Sequence, residues 1–351
     1  MVFRLIPAVC LALLLQGCSS LFFYPMEPWV QNPARQGLDY EDVVLIHPDG
    51  LRIHGWWLPA RGTARGTVYF LHGNAQNIST HLMNVHWLPE RGYNVFLLDY
   101  RGYGLSEGDP DLEGAQADIQ LGLDWLARSR RLEGAPLVLF GQSLGGAMAT
   151  GVLARERNDG FVDCVMLEAP FASYRDVASD VMARSWLLWP LRWMVLPTLP
   201  ARANDPERHV ADLAPRPLLI LHSKEDPVVP YQQGRRLYAA ARPPKTFQPL
   251  KGGHTQSVRD PAVRNRLVAF MQDNECAARP PAPAAAPAST PAEPDPPPAP
   301  AAEAGVEAPA PPATGSRSRW PPCARYRCRR PTRRPHPRPR PTPARPTTPS
   351  P

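Results

Sequence analysis

Several features that mark large protein classes are missing from this chain of 351 residues. No apolar run is fit to span a bilayer. Leu5 to Leu15 is too short for a stable spanning helix, and the apolar stretch Met182–Pro200 is interrupted by Arg184, Pro190, Arg192 and Pro197. The six cysteines, Cys10, Cys18, Cys164, Cys276, Cys323 and Cys328, form no C-x-x-C pair and no His/Cys ligand spacing. Neither a disulfide framework nor a metal site is legible from them. No G-x-G-x-x-G follows the first predicted core strand and no Walker motif occurs, so no cofactor is called for. Acid is missing from one region altogether: Ser316 to Pro351 holds 11 arginines and no Asp or Glu. Taking these 11 from 39 basic residues leaves 28 against 32 acidic ones, so the net charge of +7 belongs to that region and the rest is mildly acidic. A basic balance spread over the whole chain would suggest a nucleic-acid partner. Its confinement to one end removes that argument.

Both ends differ from the middle. Arg4 followed by apolar Leu5 to Leu15 reads as a targeting segment that stands outside the fold. Leu15-Gln16-Gly17-Cys18-Ser19-Ser20 resembles a bacterial lipobox, in which the cysteine is acylated and becomes the new N-terminus. That resemblance implies a signal peptide over 1–17, fatty acyl chains such as palmitate on Cys18, and stable membrane anchoring. Ser19 after the cysteine, in place of Asp, implies the outer membrane facing the periplasm. An ordinary cleaved signal and an uncleaved anchor are the alternatives. Residues 18–39 then form a tether. Pro280 to Pro351 contains 24 prolines in 72 residues, with almost no large apolar side chains. Such a composition buries too little to offset ordering entropy, so a disordered tail is expected over 275–351. Its arginines suit contact with anionic lipid, lipopolysaccharide or cell wall; a neutral tail or a run-on after a frame change are the alternatives.

Residues 40–274 remain for one domain. Tyr40–Ile46, Pro48-Asp49-Gly50 and Leu51–Leu58 read as a hairpin. After it, apolar strands (66–71, 94–99, 136–140, 164–167, 217–222 and 246–250) alternate with helical stretches near 80–90, 112–128, 143–155, 232–241 and 261–272. Continuous apolar strands imply burial on both faces, and the alternation implies parallel crossovers. The expected architecture is α/β, a mostly parallel doubly wound sheet with an antiparallel N-terminal hairpin and a small lid-like insert over 182–200.

Gly141-Gln142-Ser143-Leu144-Gly145 fits G-x-S-x-G and sits between the strand 136–140 and a helix. Strand, sharp turn and helix is the setting that exposes such a serine at the C-terminal sheet edge. Small residues at 141 and 145 let strand and helix pass without collision, and the N–H of Leu144 points where an oxyanion would form. The plain alternative is an ordinary turn serine.

With Leu71-His72-Gly73-Asn74-Ala75-Gln76-Asn77, Asp99-Tyr100-Arg101-Gly102-Tyr103-Gly104-Leu105-Ser106-Glu107-Gly108 and Glu168-Ala169-Pro170-Phe171, the chain resembles the α/β-hydrolase superfamily, in its lipoprotein or Bem46-like serine hydrolase group. The resemblance covers about Leu21 to Gln272. In this fold the catalytic order is serine, acid, histidine. His254, in the Gly-rich loop Lys251-Gly252-Gly253-His254-Thr255, follows the last strand and is the expected base. Asp226 resembles the family acid; Glu168, one strand earlier, is the rival, and Glu225 reads as solvated. A second oxyanion donor is expected from Asn74, with Ala75 next, while His72 braces the loop. His222 reads as packed at an inner strand end. The insert Met182–Pro200, rich in Trp and Leu, reads either as a helix packed on the sheet edge or as a lid lining an acyl pocket. The implied activity is hydrolysis of a carboxylic ester or thioester through an acyl-enzyme. Peptidase or aminopeptidase chemistry, or an idle envelope binding protein, are the alternatives. The expected partners are a small acyl substrate and, through the anchor, a membrane; no nucleic acid is expected.

Overall fold

The computed structural model describes residues 22–132, 134–155 and 158–274; the expected signal peptide, the lipidation site Cys18 and the expected tail over 275–351 lie outside the described residues. A short β1 (Tyr24–Pro25) precedes the hairpin of β2 (Glu41–Ile46) and β3 (Arg52–Leu58). There follow β4 (Gly66–Leu71), β5 (Ala75–Gln76), β6 (Tyr93–Leu98), β7 (Leu137–Gln142), β8 (Cys164–Glu168), β9 (Leu218–Ser223) and β10 (Lys245–Leu250). One eight-stranded sheet runs β10-β9-β8-β7-β4-β6-β3-β2. All pairs from β10 through β6 are parallel, and β6–β3 and β3–β2 are antiparallel. This is the expected mostly parallel sheet with its antiparallel start.

Successive strand residues point to opposite faces, so each apolar strand feeds two cores. In β4, Tyr69 and Leu71 join one core and Val68 and Phe70 the other. The first core is closed by α1 (Leu112–Arg128), α2 (Leu144–Leu153), α3 (Tyr174–Ala183) and α4 (Tyr231–Ala240), through Ile119, Met148, Val177 and Leu237 among others. The second is closed by α5 (Pro261–Asp273), through Leu267 and Phe270. Caps fix where helices begin: Asp111 accepts the Gly114 N–H at 2.9 Å, and Asp260 accepts the Ala262 N–H at 2.8 Å ahead of Pro261.

The structure departs from expectation at four places. The predicted helix 80–90 is broken into single turns at Ile78–His81, Leu82–Asn84 and Pro89–Arg91; Pro89 has no N–H for a continuing ladder. Helix α3 was not foreseen, because apart from its Ser173 cap its apolar face is thin. The described part of the expected tether is packed on the fold. Phe23 and Leu38 are buried, and β1 pairs in parallel with β5. Cys164 is disulfide-bonded, a pairing that cysteine spacing did not reveal. Its partner lies outside the described residues.

Candidate active site

Ser143 sits between β7 and α2 with φ 50° and ψ −117°, a conformation L-residues rarely adopt. The turn is possible only because its neighbours lack Cβ atoms. A Cβ on Gly141 would meet the Gly146 Cα at 2.6 Å, and one on Gly145 would run into the carbonyls of Leu71 and His72. Strain of this kind, of order 1–3 kcal/mol, persists only where packing over-determines it. Leu144 opens α2, so its N–H has no carbonyl partner within the helix.

Asn74 lies across from Ser143 on the same cavity. Its carbonyl accepts from the Tyr103 hydroxyl at 2.7 Å and from the Tyr24 N–H at 2.8 Å. Both bonds fix the Asn74–Ala75 peptide beside the cavity. His72 braces the loop as expected: its Nδ1 donates to the Gly73 carbonyl at 2.8 Å and its ring packs on Tyr100 at 4.3 Å. Its Nε2 faces Asp99 Oδ1 at 3.5 Å. Both groups are fully buried. Burial pushes the Asp99 carboxyl up to about 8, opposed in part by the Ile78 N–H it accepts, and pushes His72 well below the usual imidazole range. Both shifts favour the uncharged forms, a carboxylic acid against an imidazole, over an ion pair.

The structure joins His254 to Asp226 and not to Glu168. His254 Nδ1 donates to Asp226 Oδ2 at 2.7 Å. Asp226 Oδ1 accepts the N–H groups of Val228 and Val229 at 2.8 and 2.9 Å. Burial alone would raise this carboxyl. The hydrogen bond and charge of His254, with the two backbone donors, outweigh burial and hold it below the ordinary value. Glu168 instead accepts from Gln142 Nε2 at 2.6 Å and from the Ser257 N–H at 3.1 Å, which pins the far side of the His254 loop. The near side is pinned by Ser223 Oγ on the Gly252 carbonyl, at 2.6 Å, and by Glu225, which is exposed as expected and accepts the Gly252 N–H at 3.2 Å. His222 is buried as expected and donates to the Val229 carbonyl at 3.0 Å. Ser143, Asp226 and His254 follow β7, β9 and β10, whose parallel C-terminal ends share one sheet edge. No hydrogen bond joins Ser143 to His254 among the described residues; such bonds are often long before substrate binds.

Ser143, Leu144 and Asn74 open on an apolar cavity of about 300 Å³, at the small end of ligand sites. Leu188, Leu191, Val195 and Leu199 of the insert line it, so the insert is a cap over the serine and not an edge helix. Pro190 and Pro197 sit in the first turns of one-turn helices there, which prevents one continuous helix. Trp186 and Trp193, the natural candidates by size, point outward at 88% and 72% exposure. Phe22 and Tyr24, from the segment expected to be a tether, are also wall residues. The adjacent Phe22-Phe23 pair is the sequence signal for them. Among the described residues no group of His, Cys, Asp or Glu could hold a metal ion.

Comparison with known proteins gives relatives along most of this length. The profile of a family described as serine aminopeptidase, S33, matches residues 62–211, and that of TAP-like protein matches residues 192–282. The uncharacterized protein YfhR of Escherichia coli K12 is 34% identical over 278 residues, spanning 75% of this chain and 90% of YfhR. The lysophosphatidylserine lipase ABHD12 of Macaca fascicularis is 34% identical over 252 residues, spanning 63% of this chain and 62% of the lipase. Among solved structures, the Pyrococcus furiosus esterase Pf2001 superposes with a TM-score of 0.58 at 21% identity, covering 71% of this chain and 98% of the esterase.

Proposed function

The chain belongs to the α/β-hydrolase superfamily, and on that premise we propose that it is a membrane-tethered serine hydrolase of carboxylic esters or thioesters. Ser143 attacks the acyl carbonyl. His254 takes the serine proton and returns it to the leaving group. Asp226 holds the His254 tautomer and stabilises the imidazolium. The N–H groups of Leu144 and Asn74 receive the oxyanion, and water resolves the acyl-enzyme.

The observation that carries this reading is the 2.7 Å bond between His254 and Asp226, at the sheet edge where Ser143 is held at positive φ. The cavity supports an ester over an aminopeptide substrate. A free α-ammonium needs a carboxylate beside the scissile bond, and among the described residues no charged side chain lines the cavity. An apolar wall favours an acyl chain, at most about 0.8 kcal/mol per buried methylene. Kinetics on p-nitrophenyl esters beside aminoacyl anilides tests the choice: ester turnover is expected, and faster aminoacyl cleavage would replace it with a peptidase. No turnover of either, with intact folding, would leave an idle binding protein.

Tethering and location rest on the lipobox-like segment around Cys18. Mass spectrometry of the mature N-terminus is expected to find acylated Cys18; an unmodified cysteine, or cleavage elsewhere, would remove the anchor.

A further inference from the structure

The cap over Ser143 has two apolar faces. Its inner face, with Leu188 and Leu191, lines the cavity. Its outer face carries Trp186 at 88% exposure, Trp193 at 72% and Leu187 at 62%, with Trp189 and Met194 also exposed. Single exposed apolar residues need no explanation; five within nine positions mark an interaction surface. Charge limits what that surface can meet. From Val181 to Asn204 there are three arginines, Arg184, Arg192 and Arg202, and no Asp or Glu. The Arg192 guanidinium lies 3.3 Å over the Trp189 ring. Arg202 is paired with Asp176 and Arg184 donates to the Pro227 carbonyl, which leaves Arg192 beside the exposed indoles; indoles with apolar bodies and polar edges next to such a cation suit the boundary between headgroups and acyl chains.

A second observation points the same way. Phe22 and Tyr24 also line the cavity, and Phe22 lies four positions after Cys18. Four residues span at most about 14 Å, so chains attached at Cys18 would hold this wall beside the bilayer. A second copy of the chain fits less well, because a two-fold contact would set the arginines of one cap against those of the other.

We propose that the outer face of the 184–199 cap docks on an anionic lipid bilayer, so that the cover of the Ser143 cavity is seated in the membrane surface and the acyl substrate arrives from the lipid phase. The tether argument rests on the acylation of Cys18; the cap argument does not.

The test uses the mature-length chain from residue 18 carrying Cys18→Ser, so that an anchor cannot mask docking. Amide hydrogen exchange is followed with and without vesicles of phosphatidylethanolamine and phosphatidylglycerol, in 0.5 M salt to screen the arginine-rich tail. Exchange across 184–199 is expected to slow on adding vesicles. Trp186→Ser with Trp193→Ser is expected to lower the vesicle-bound fraction at least tenfold, yet leave kcat/KM on a soluble acetyl ester within about twofold, since neither indole lines the cavity. Vesicle binding without protection of the cap would overturn the proposal. So would cap protection that appears without vesicles as protein concentration rises, which would assign the face to a second copy. Cap protection in a chain that hydrolyses no ester would leave docking standing and refute the hydrolase reading instead.

Discussion

Asp99→Asn should make the folded domain more stable at alkaline pH while changing its contacts little. Asp99 has an ordinary value of 3.8 and is pushed up to about 8 by burial. Between these two values the unfolded chain has lost the proton and the folded chain keeps it. The folded state then binds one proton more, so stability falls as pH rises, by about 1.4 kcal/mol per pH unit for a single group. The contribution is fully present below 3.8 and is gone once pH passes about 8. Asn has the shape of the protonated acid, and its carbonyl can accept the Ile78 N–H that Asp99 Oδ1 accepts at 2.8 Å. Over three pH units the difference amounts to about 4 kcal/mol, which in a domain of this size is roughly 10 °C in Tm. Asp226 works with the opposite sign: its lowered value yields stability that is lost only as pH falls below 3.8, outside this window. Thermal melts of both proteins from pH 4.5 to 8.5 check the reasoning. The Tm gap should be small at the acid end and widen toward pH 8, with Asn the more stable. Parallel curves would mean that Asp99 is ionised in the folded protein, and the neutral pairing with His72 would be wrong.

Ser143→Ala and His254→Ala should each lower kcat by up to ~10⁶-fold on a soluble ester, with little further loss in the double variant, whereas Asp226→Ala should cost roughly 10⁴-fold; additive losses would show that the groups do not act as a unit. Leu188→Ala with Leu191→Ala should flatten the gain in kcat/KM along a series of esters from short to medium acyl chains, measured on soluble substrates, while Trp189→Ala should leave that profile parallel to wild type because its indole is not in the cavity wall.

Much of the architecture was legible because its determinants are local. The elbow needs Gly141 and Gly145 for steric reasons that two letters reveal, and β4, β7 and β9 are too apolar for anything but a doubly covered sheet. Asp226 and His254 were legible by their place after β9 and β10. What escaped depends on pairing and on facing. Gln142 and Glu168 meet only because β7 and β8 run in register at those two positions, and no count of residues along one strand contains that. The insert was visibly apolar, yet composition does not say that Leu188 and Leu191 line the cavity while Trp186, Leu187 and Trp193 stand outside it once Pro190 and Pro197 break it into single turns. The wall residues Phe22 and Tyr24 were hidden by their place next to a segment whose sequence reads as targeting. Asp99 reads as an ordinary acid until its burial is known.

The most direct test of the central claim is covalent labelling with a fluorophosphonate, read by intact mass and peptide mapping. One adduct is expected, on Ser143, absent in Ser143→Ala and much slowed in His254→Ala. An adduct on another residue, or labelling that survives Ser143→Ala together with ester turnover, would contradict it.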